Sequence, residues 1–352
     1  MGKDIQNNLS YQFLVTKEAF PFCRDFLNQK NYKFNIINDE ADVKSSSKRN
    51  IIFQLKKGRF IEPCPGTPNY ICCGYYIISP VENCPFDCSY CILQAYFKDK
   101  NIRVYVNTGD MIKELEKIKE NQIFRFGTGE FSDSLFLPVA EYYLEKLLDF
   151  FSEHENLYLE LKTKSHIIPK AALNYIKRNL IFSFSLNSPT VWRNEELHTS
   201  SVIDRISKAK LLAEKGYLLS FHFDPIIEYE KWHEDYKKTI DYLFDNISES
   251  KIVWISMGTL RYMPSLKDIA QINHPNTNIF RHEFIIGLDG KKRYFRKSRV
   301  EIYKKMLSMI KERAEKVFVY LCMENADVWM DVFGIRMTSK KLKKLMDEQI
   351  LK

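Results

Sequence analysis

From Gly74 onward, short apolar runs alternate with stretches whose apolar residues recur every three or four positions. The apolar runs predict strands at residues 75–79, 102–106, 123–127, 157–161, 180–186, 217–223 and 252–257. The stretches between them predict amphipathic helices at residues 110–120, 138–152, 201–215 and 233–245. Continuous apolar strands separated by helices are typical of a parallel sheet that is buried on both faces. The pattern therefore predicts an α/β fold built on a partial or complete (β/α) barrel.

The barrel pattern divides the chain into three parts. Residues 1–73 predict a small N-terminal subdomain, residues 74–262 carry the barrel, and residues 263–352 form a C-terminal extension. Within the extension, a hairpin is predicted over residues 283–299, because Asp289-Gly290 is a turn-type pair. The second arm of the hairpin mixes lysines and arginines with aromatic residues. This mixture suits a nucleic-acid contact and a solvated hairpin equally well.

Composition limits the class of protein. The chain has 352 residues, 45% of them hydrophobic and 14% aromatic, which excludes a disordered chain. No apolar run approaches the length of a membrane span, and the first residues lack the layout of a secretion signal, so we expect a cytoplasmic protein without a membrane partner. The net charge of +8 permits an anionic partner but does not require one. Eight cysteines in a reducing compartment indicate metal or redox chemistry before disulfides.

Three cysteines, Cys84, Cys88 and Cys91, follow the first predicted barrel strand within one short loop. Thiolates are the usual protein ligands of iron–sulfur clusters. Three of them can hold a 4Fe–4S cluster and leave its fourth iron open to a small molecule, much as catalytic metal sites keep an open position. A zinc site would need a fourth ligand at a matching spacing, and no His or Cys follows nearby. The loop therefore favours a cluster.

Polar residues follow the other predicted strands, at the carboxyl ends where barrel chemistry gathers. Gly129 and Glu130 lie in the turn after residues 123–127. A small residue there allows a ligand to approach the backbone, and a carboxylate can accept a hydrogen bond from an ammonium group. Ser185 and Asn187 interrupt an otherwise apolar strand. These positions predict ligand contacts.

The cysteine loop, with the aromatic Tyr90 just before its third cysteine, resembles the radical S-adenosylmethionine (SAM) superfamily. From about Gly74 to Thr259 the chain resembles the spore photoproduct lyase family within it, whose members reverse a thymine dimer lesion in DNA. The resemblance rests on five segments: Cys91-Ile-Leu-Gln-Ala-Tyr, Ile102-Arg-Val-Tyr-Val-Asn107, Leu161-Lys-Thr-Lys164, Phe182-Ser-Phe-Ser-Leu-Asn187, and Gly216-Tyr217 through Asp224-Pro225. It implies a barrel of radical SAM type.

The resemblance also implies roles for individual residues. SAM binds at the open iron of a cluster on Cys84, Cys88 and Cys91 and is cleaved reductively to a 5′-deoxyadenosyl radical. The expected SAM contacts are Tyr90, Gly129, Glu130, Ser132, Lys164, Ser185 and Asn187, of which Glu130 and Lys164 are the expected catalytic residues. Glu130 resembles the glutamate of the Gly-Gly-Glu motif in other radical SAM enzymes, which binds the amino group of SAM. The expected partners are SAM, an electron donor such as flavodoxin or ferredoxin, and a nucleic acid as one substrate option.

Two positions depart from the family. Its lyases carry a hydrogen-donating cysteine two residues before the SAM-contacting serine, where this chain has Glu130. They also carry a relay tyrosine immediately after the third cluster cysteine, where this chain has Ile92. Neither side chain donates a hydrogen atom readily. We therefore expect a divergent relative in which radical generation is kept and the repair half is altered, unless another cysteine supplies the hydrogen.

The remaining cysteines allow several interpretations. Cys64, Cys72 and Cys73 lie just before the barrel, and Cys322 follows the apolar run 317–321. They could form a four-thiolate auxiliary cluster or a zinc site, or one of them could donate hydrogen. Plain burial is the third interpretation, because free cysteine is often buried.

Three functions are compatible with the sequence. The first is a radical SAM enzyme that acts on DNA or another nucleic acid. The second is a radical SAM enzyme with a small-molecule or protein substrate, which would not respond to DNA. The third is a non-catalytic, zinc-stabilised protein that binds nucleic acid, which would contain zinc but no iron.

Overall fold

The computed structural model describes residues 11–64, 66, 69–118, 122–136, 139–175 and 177–352. The strands are β1 Gln12–Thr16, β2 Phe34–Ile37, β3 Asn50–Gln54, β4 Ile61–Pro63, β5 Tyr76–Ile78, β6 Val81–Glu82, β7 Asp87–Cys88, β8 Ile102–Tyr105, β9 Phe124–Gly127, β10 Leu157–Thr163, β11 Leu180–Ser185, β12 Glu196–Leu197, β13 Leu218–Ile226, β14 Ile252–Thr259, β15 Arg261–Tyr262, β16 Ile285–Ile286, β17 Lys292–Arg293 and β18 Val319–Leu321. The α-helices are α1 Phe20–Gln29, α2 Leu93–Tyr96, α3 Thr108–Leu115, α4 Ala140–Ser152, α5 Lys170–Leu173, α6 Pro189–Glu195, α7 Val202–Glu214, α8 Trp232–Asn246, α9 Pro264–Asn273, α10 Arg296–Arg313, α11 Ala326–Phe333 and α12 Ser339–Ile350. Short 3₁₀ helices lie at Glu40–Asp42 and Glu249–Lys251.

The main sheet has the strand order β18-β14-β13-β11-β10-β9-β5-β4. All neighbours are parallel except β4, which runs antiparallel to β5. Every residue of β11 and of β14 is buried, as expected for strands covered on both faces. The sheet curls into a half-barrel whose edge strands are β4 and β18. The predicted α/β fold with a partial barrel is therefore confirmed.

Amphipathic helices cover the outer face of this sheet. Helix α4 packs on β10, α7 packs on β11 and β13, and α10 packs on β14. Helix α12 also contacts β14, but its Asp347 binds Arg125 of β9 at 3.0 Å, and Arg125 points to the face opposite that of Phe126, which packs on α4. In α4, Tyr143, Leu144, Leu147 and Phe151 recur at helical spacing and are buried. This apolar stripe fixes the helix on the sheet. Because the strands of this sheet from β5 to β18 are parallel, their carboxyl ends and the loops that follow them lie together at one mouth of the half-barrel.

A second, five-stranded sheet has the order β2-β1-β3-β8-β6. It contains β8, at residues 102–105, which the sequence pattern predicts for the barrel. That placement is wrong, because β8 pairs in parallel with β3, with Ile102 opposite Ile51. An apolar run indicates a buried strand but does not indicate which of two sheets buries it.

The sheets also cross the predicted boundaries at residues 73 and 262. β4 and β18, from the two flanking parts, form the edges of the main sheet, whereas β6 and β8 from the predicted barrel part lie in the second sheet. The division into 1–73, 74–262 and 263–352 thus does not describe the sheets, and it stays a prediction about folding units.

The predicted hairpin is present but shorter than expected. β16 and β17 pair antiparallel, and Gly290 between them has a left-handed φ of 76°. From Arg296 the chain is already helical. Arg293 is buried and bound to Asp289 at 2.6 Å, so this cation of the hairpin is used internally. Across the described ranges, every helix is too short or too polar to span a membrane.

Candidate cluster and cofactor site

The cysteine loop is held in place by contacts on both sides. β7 within the loop pairs antiparallel with β12, which sets Cys88 opposite Glu196. The Lys48 ammonium binds the carboxylate of Asp87 at 2.9 Å and also the carbonyl of Phe86. Asn83 donates to the carbonyl of Asn101 at 2.8 Å. The loop is therefore fixed on one side by Lys48 and Asn101, which precede strands β3 and β8 of the second sheet, and on the other side by β12.

The three loop cysteines differ in environment. Cys88 is buried and faces the interior, where Lys164 and Glu196 are among its electrostatic neighbours. Burial raises the pKa of Cys88, and the Lys164 ammonium opposes that rise. Cys84 and Cys91 are partly exposed. Cys88 is thus the most buried of the three residues.

Glu130 lies in the loop after β9, as predicted, but its carboxylate already has partners. Oε1 accepts hydrogen bonds from Nζ of Lys162, at 2.9 Å, and from the hydroxyl of Tyr75. Burial alone would raise the pKa of Glu130, but the Lys162 ammonium lowers it below its usual value. Glu130 is therefore an ionised carboxylate at this site.

The neighbouring residues fit a small ligand. A Cβ at Gly129 would lie 2.6 Å from Cβ of Lys162, so only glycine lets this loop pack against β10. The Ser132 side chain is buried, and its Oγ has no hydrogen-bond partner among the described residues. Buried hydroxyls are normally satisfied, so an orphaned Oγ at the predicted SAM contact suits a bound polar ligand.

Lys164 follows β10 and lies next to the cysteine loop. Its ammonium is 5.7 Å from the ring centroid of Tyr90, and Cys88 and Glu196 are its strongest charged neighbours. Burial would lower the pKa of Lys164, but these two groups raise it above its ordinary value. The structure thus brings Tyr90 and Lys164 together, as the resemblance implies.

Ser185 and Asn187 lie at the end of β11 and just beyond it. Ser185 is buried opposite His222 of β13. Asn187 donates to the carbonyl of Pro225 at 3.1 Å and to Glu196 at 3.3 Å, and it accepts from the hydroxyl of Tyr236. Much of its amide is used within the protein. The roles of both residues towards SAM stay predictions.

A buried ion pair, missed by sequence reasoning, supports this layer. The guanidinium of Arg205, on α7, donates to Glu196 at 2.7 Å, and both side chains are fully inaccessible to solvent. Arg205 also donates to the carbonyl of Ser185 at 2.7 Å, and Tyr90 donates to Glu196. The only sequence signal was an arginine at a buried position of an amphipathic helix.

Sequence reasoning also missed a polar network inside the half-barrel. Glu160 accepts from Nε2 of His222 at 2.8 Å and from the hydroxyl of Ser183 at 2.5 Å. At the end of β13, Asp224 forms a two-pronged pair with Arg261, both distances being 2.9 Å. His222 and Glu160 alternate with apolar residues along their strands, and that inward period of two was the available signal.

The remaining cysteines do not form a single-ion site. Cys322 is close to Arg261, whose Nη2 lies 3.6 Å from its Sγ, and the backbone N–H of Cys64 donates to the carbonyl of Tyr75 at 2.9 Å. In the part of the chain that the structure describes, no three His, Cys, Asp or Glu side chains, those of Cys84, Cys88 and Cys91 included, are arranged around one metal ion. The auxiliary site on Cys64, Cys72, Cys73 and Cys322 stays a prediction.

Comparison with known proteins decides the family. The sequence model of a family described as spore photoproduct lyase matches residues 72–325, well over half of the chain. The chain belongs to the spore photoproduct lyase family. It is therefore a radical SAM enzyme of this family, and both the enzyme class and the resemblance seen in the sequence are confirmed.

Curated members of the family match over most of their length. The spore photoproduct lyase of Clostridium acetobutylicum is 27% identical over 294 residues, which is 77% of this chain and 84% of that protein. That of Bacillus subtilis is 27% identical over 245 residues, which is 68% of this chain and 70% of that protein.

Solved structures of the family share the fold. A spore photoproduct lyase mutant with bound AdoMet and dinucleoside spore photoproduct aligns with a TM-score of 0.78 at 21% identity, covering 88% of this chain and 98% of that chain. A spore photoproduct lyase complexed with dinucleoside spore photoproduct gives 0.77 at 21% identity, with 89% and 99% coverage. These matches support the half-barrel architecture.

Proposed function

We propose that this protein is a radical SAM enzyme that abstracts a hydrogen atom from a DNA substrate and differs from spore photoproduct lyase in how hydrogen is returned. Two observations carry this proposal together: the Lys164 ammonium lies 5.7 Å from the ring centroid of Tyr90 in the three-cysteine loop, and the buried hydroxyl of Ser132 has no partner among the described residues. Cys84, Cys88 and Cys91 would hold a 4Fe–4S cluster, and Ser132, Lys164 and Ser185 would contact SAM. When bound and reduced, this cluster supplies the electron that cleaves SAM to a 5′-deoxyadenosyl radical.

The residues around the site would keep the cofactor oriented. Asp133 accepts from the backbone N–H of Lys164 at 2.8 Å and from the hydroxyl of Thr163 at 2.8 Å, which ties the loop after β9 to the end of β10. The buried Glu196–Arg205 pair holds Tyr90 from the other side. A site built on strand ends and supported by buried hydrogen bonds is pre-organised for a ligand.

DNA is proposed as the substrate because of the family and the charge of the chain. Solved relatives contain a dinucleoside spore photoproduct, and this chain carries a net charge of +8. No contact within the described residues favours a small-molecule or protein substrate over DNA. We also propose that a small electron-carrier protein, such as flavodoxin or ferredoxin, reduces the cluster.

Glu130 replaces the cysteine of the lyases, so another thiol would have to return hydrogen. We propose Cys64 for this role. It pairs through its backbone with Tyr75, whose hydroxyl donates to Glu130. Burial, followed by the Glu130 carboxylate, raises the pKa of Cys64 to about 12, so its thiol keeps the hydrogen that it would donate. Replacing Cys64 by Ala should leave SAM cleavage intact and lower the yield of reversed lesion.

The test is anaerobic reconstitution with iron and sulfide, followed by dithionite reduction and measurement of 5′-deoxyadenosine. Dinucleoside spore photoproduct, undamaged DNA and a metabolite mixture are compared as substrates. We expect the lesion to stimulate 5′-deoxyadenosine formation. Stimulation by the metabolite mixture alone would refute the DNA assignment.

A cysteine variant tests the cluster separately. Cys88→Ala should lose the iron that the wild type binds and should form no 5′-deoxyadenosine. Cys23→Ala removes a buried thiol on α1, far along the chain from the loop, and should keep both. Full turnover in Cys88→Ala, or tightly bound zinc in place of iron, would contradict the proposal.

A further inference from the structure

A cavity of about 240 Å³ lies on the outer side of the cysteine loop. Cys84 and Cys91 form part of its wall, and Lys48, Lys98 and Lys100 form another part. The Lys48 ammonium is close enough to both cysteines to interact with their charges. The cavity therefore opens to solvent beside Cys84 and Cys91.

The acidic groups in this cavity are already paired. Asp87 binds Lys48 at 2.9 Å, and Asp99 binds Arg103. Lys98 and Lys100 are exposed, and neither lies within ion-pair distance of a carboxylate in the ranges that the structure describes. The ammonium of Lys100 donates instead to the neutral amide of Asn273, at 2.8 Å. The rim of the cavity thus carries two lysines without an ion-pair partner among the described residues, and Lys98 also lines a neighbouring groove that contains Asp39, Glu40 and Glu82.

Exposed apolar side chains lie on α2 and α9 and directly before α2, next in the chain to residues of the cavity wall such as Leu93 and Asn273. Ile92 and Tyr96, directly after the third cysteine, are 38% and 64% exposed, and Ile272 on α9 is 81% exposed. α2 and α9, which carry Tyr96 and Ile272, are in contact. Apolar residues within a charged rim are typical of protein–protein interfaces, whereas a DNA backbone is bound mainly by cations. The composition of this face therefore favours a protein partner over nucleic acid.

We infer that this face, defined by Ile92, Tyr96, Lys98, Lys100 and Ile272, docks an acidic electron-carrier protein that delivers one electron to a cluster on Cys84, Cys88 and Cys91. The inference rests on the proposed function, which requires that electron. Electron transfer between proteins slows steeply with distance, so a carrier must approach where the ligand thiols come nearest to solvent. Complementary charge at the rim would guide its approach and orient it.

The experiment uses the full-length, cluster-loaded chain and an acidic ferredoxin as the probe. In Lys98→Glu/Lys100→Glu we expect ferredoxin binding at low salt, measured by calorimetric titration, to weaken at least about tenfold. Bleaching of the cluster absorbance by reduced ferredoxin should slow by a similar factor. Reduction by dithionite, and 5′-deoxyadenosine formed with it, should match the wild type.

A matched control makes the same charge change elsewhere. Lys340→Glu/Lys341→Glu alters two exposed lysines of α12 and should leave ferredoxin binding unchanged. Equal ferredoxin affinity in the Lys98/Lys100 variant and the wild type would overturn the inference, as would an equal loss in the control. Loss of DNA binding with ferredoxin binding retained would assign the face to DNA. If dithionite yields no 5′-deoxyadenosine even in the wild type, the proposed function fails, whatever the ferredoxin titration gives.

Discussion

The Lys162 ammonium lies 2.9 Å from Oε1 of Glu130, inside the mouth of the half-barrel. Glu130 occupies the position at which the family's lyases are expected to carry a hydrogen-donating cysteine. A buried carboxylate is costly there unless a cation is close by. Lys162, on β10, supplies that cation, and together with the Tyr75 hydroxyl it more than offsets the effect of burial on the pKa of Glu130. A carboxylate at position 130 is thus accommodated by a partner on the next strand.

The first prediction concerns this pair. Glu130→Gln removes the charge that compensates Lys162 and should lower the free energy of unfolding by about 1.5–3 kcal/mol, the range for a hydrogen bond to a charged group. Urea unfolding measures the change. As a control, Asp110→Asn breaks an exposed pair with Lys113 and should cost no more than about 0.5 kcal/mol. Equal losses in the two variants would show that the Glu130–Lys162 pair is not specially stabilising.

The second prediction separates ligand binding from stability at two neighbouring serines. The hydroxyl of Ser132 has no described partner, so Ser132→Ala should leave unfolding unchanged and weaken SAM binding about five- to tenfold. Ser134 is different, because its Oγ accepts from the backbone N–H of Lys162 at 3.0 Å and from Thr128 at 2.8 Å. Ser134→Ala should therefore cost about 1–3 kcal/mol of stability. SAM affinity is measured by equilibrium dialysis on cluster-loaded protein, and an unchanged affinity in Ser132→Ala would remove this residue from the cofactor site.

The third prediction concerns the fully buried Glu196–Arg205 pair. Removing one partner leaves an uncompensated charge, so Glu196→Gln should cost about 3–5 kcal/mol. Replacing both, in Glu196→Leu/Arg205→Met, should recover part of that loss, because the Arg205 guanidinium is no longer left buried without its carboxylate. Chemical denaturation of the three proteins provides the comparison. A double variant that is less stable than Glu196→Gln would mean that the pair itself contributes net stability.

The sequence predicted the main sheet well and the second sheet poorly, for a physical reason. Runs such as residues 180–186 are buried on both faces, so their apolar character alone identifies them. The strand at residues 102–105 has the same character, yet it is buried by β3, and local pattern carries no information about that partner. The short edge strand β4 depends on tertiary pairing and gave little signal, whereas the apolar run 317–321 did indicate the other edge strand, β18.

The candidate site shows the same division. Cys84, Cys88, Cys91 and Lys164 could be located because closely spaced thiols and a strand-end lysine carry their chemistry in the local sequence. Glu160, Glu196 and Arg205 could not, because each is significant only through a partner on another element. A sequence shows that a residue is charged, but its burial and the group that neutralises its charge are seen only in the folded structure.

The fourth prediction is a dependence of stability on pH that originates at Glu160. Burial alone would raise the pKa of this carboxylate, but His222 and then Lys162 and Ser183 lower it far below its ordinary value of 4.5. Because the folded-state pKa is depressed, the stabilising contribution of Glu160 is fully present above about pH 4.5 and is lost progressively as the pH falls towards the folded-state pKa. Asp224, paired with Arg261, and Glu196, paired with Arg205, act in the same direction. The free energy of unfolding of the cluster-free chain should thus fall between about pH 5 and pH 3.

Two variants test whether this dependence originates at Glu160. In Glu160→Gln the free energy of unfolding should be lower at neutral pH and should decline less steeply on acidification, whereas Glu62→Gln, at an exposed site on β4, should follow the wild-type curve. If the two curves of unfolding free energy against pH, for Glu160→Gln and for the wild type, run parallel, folding does not lower the pKa of Glu160 and the prediction is wrong.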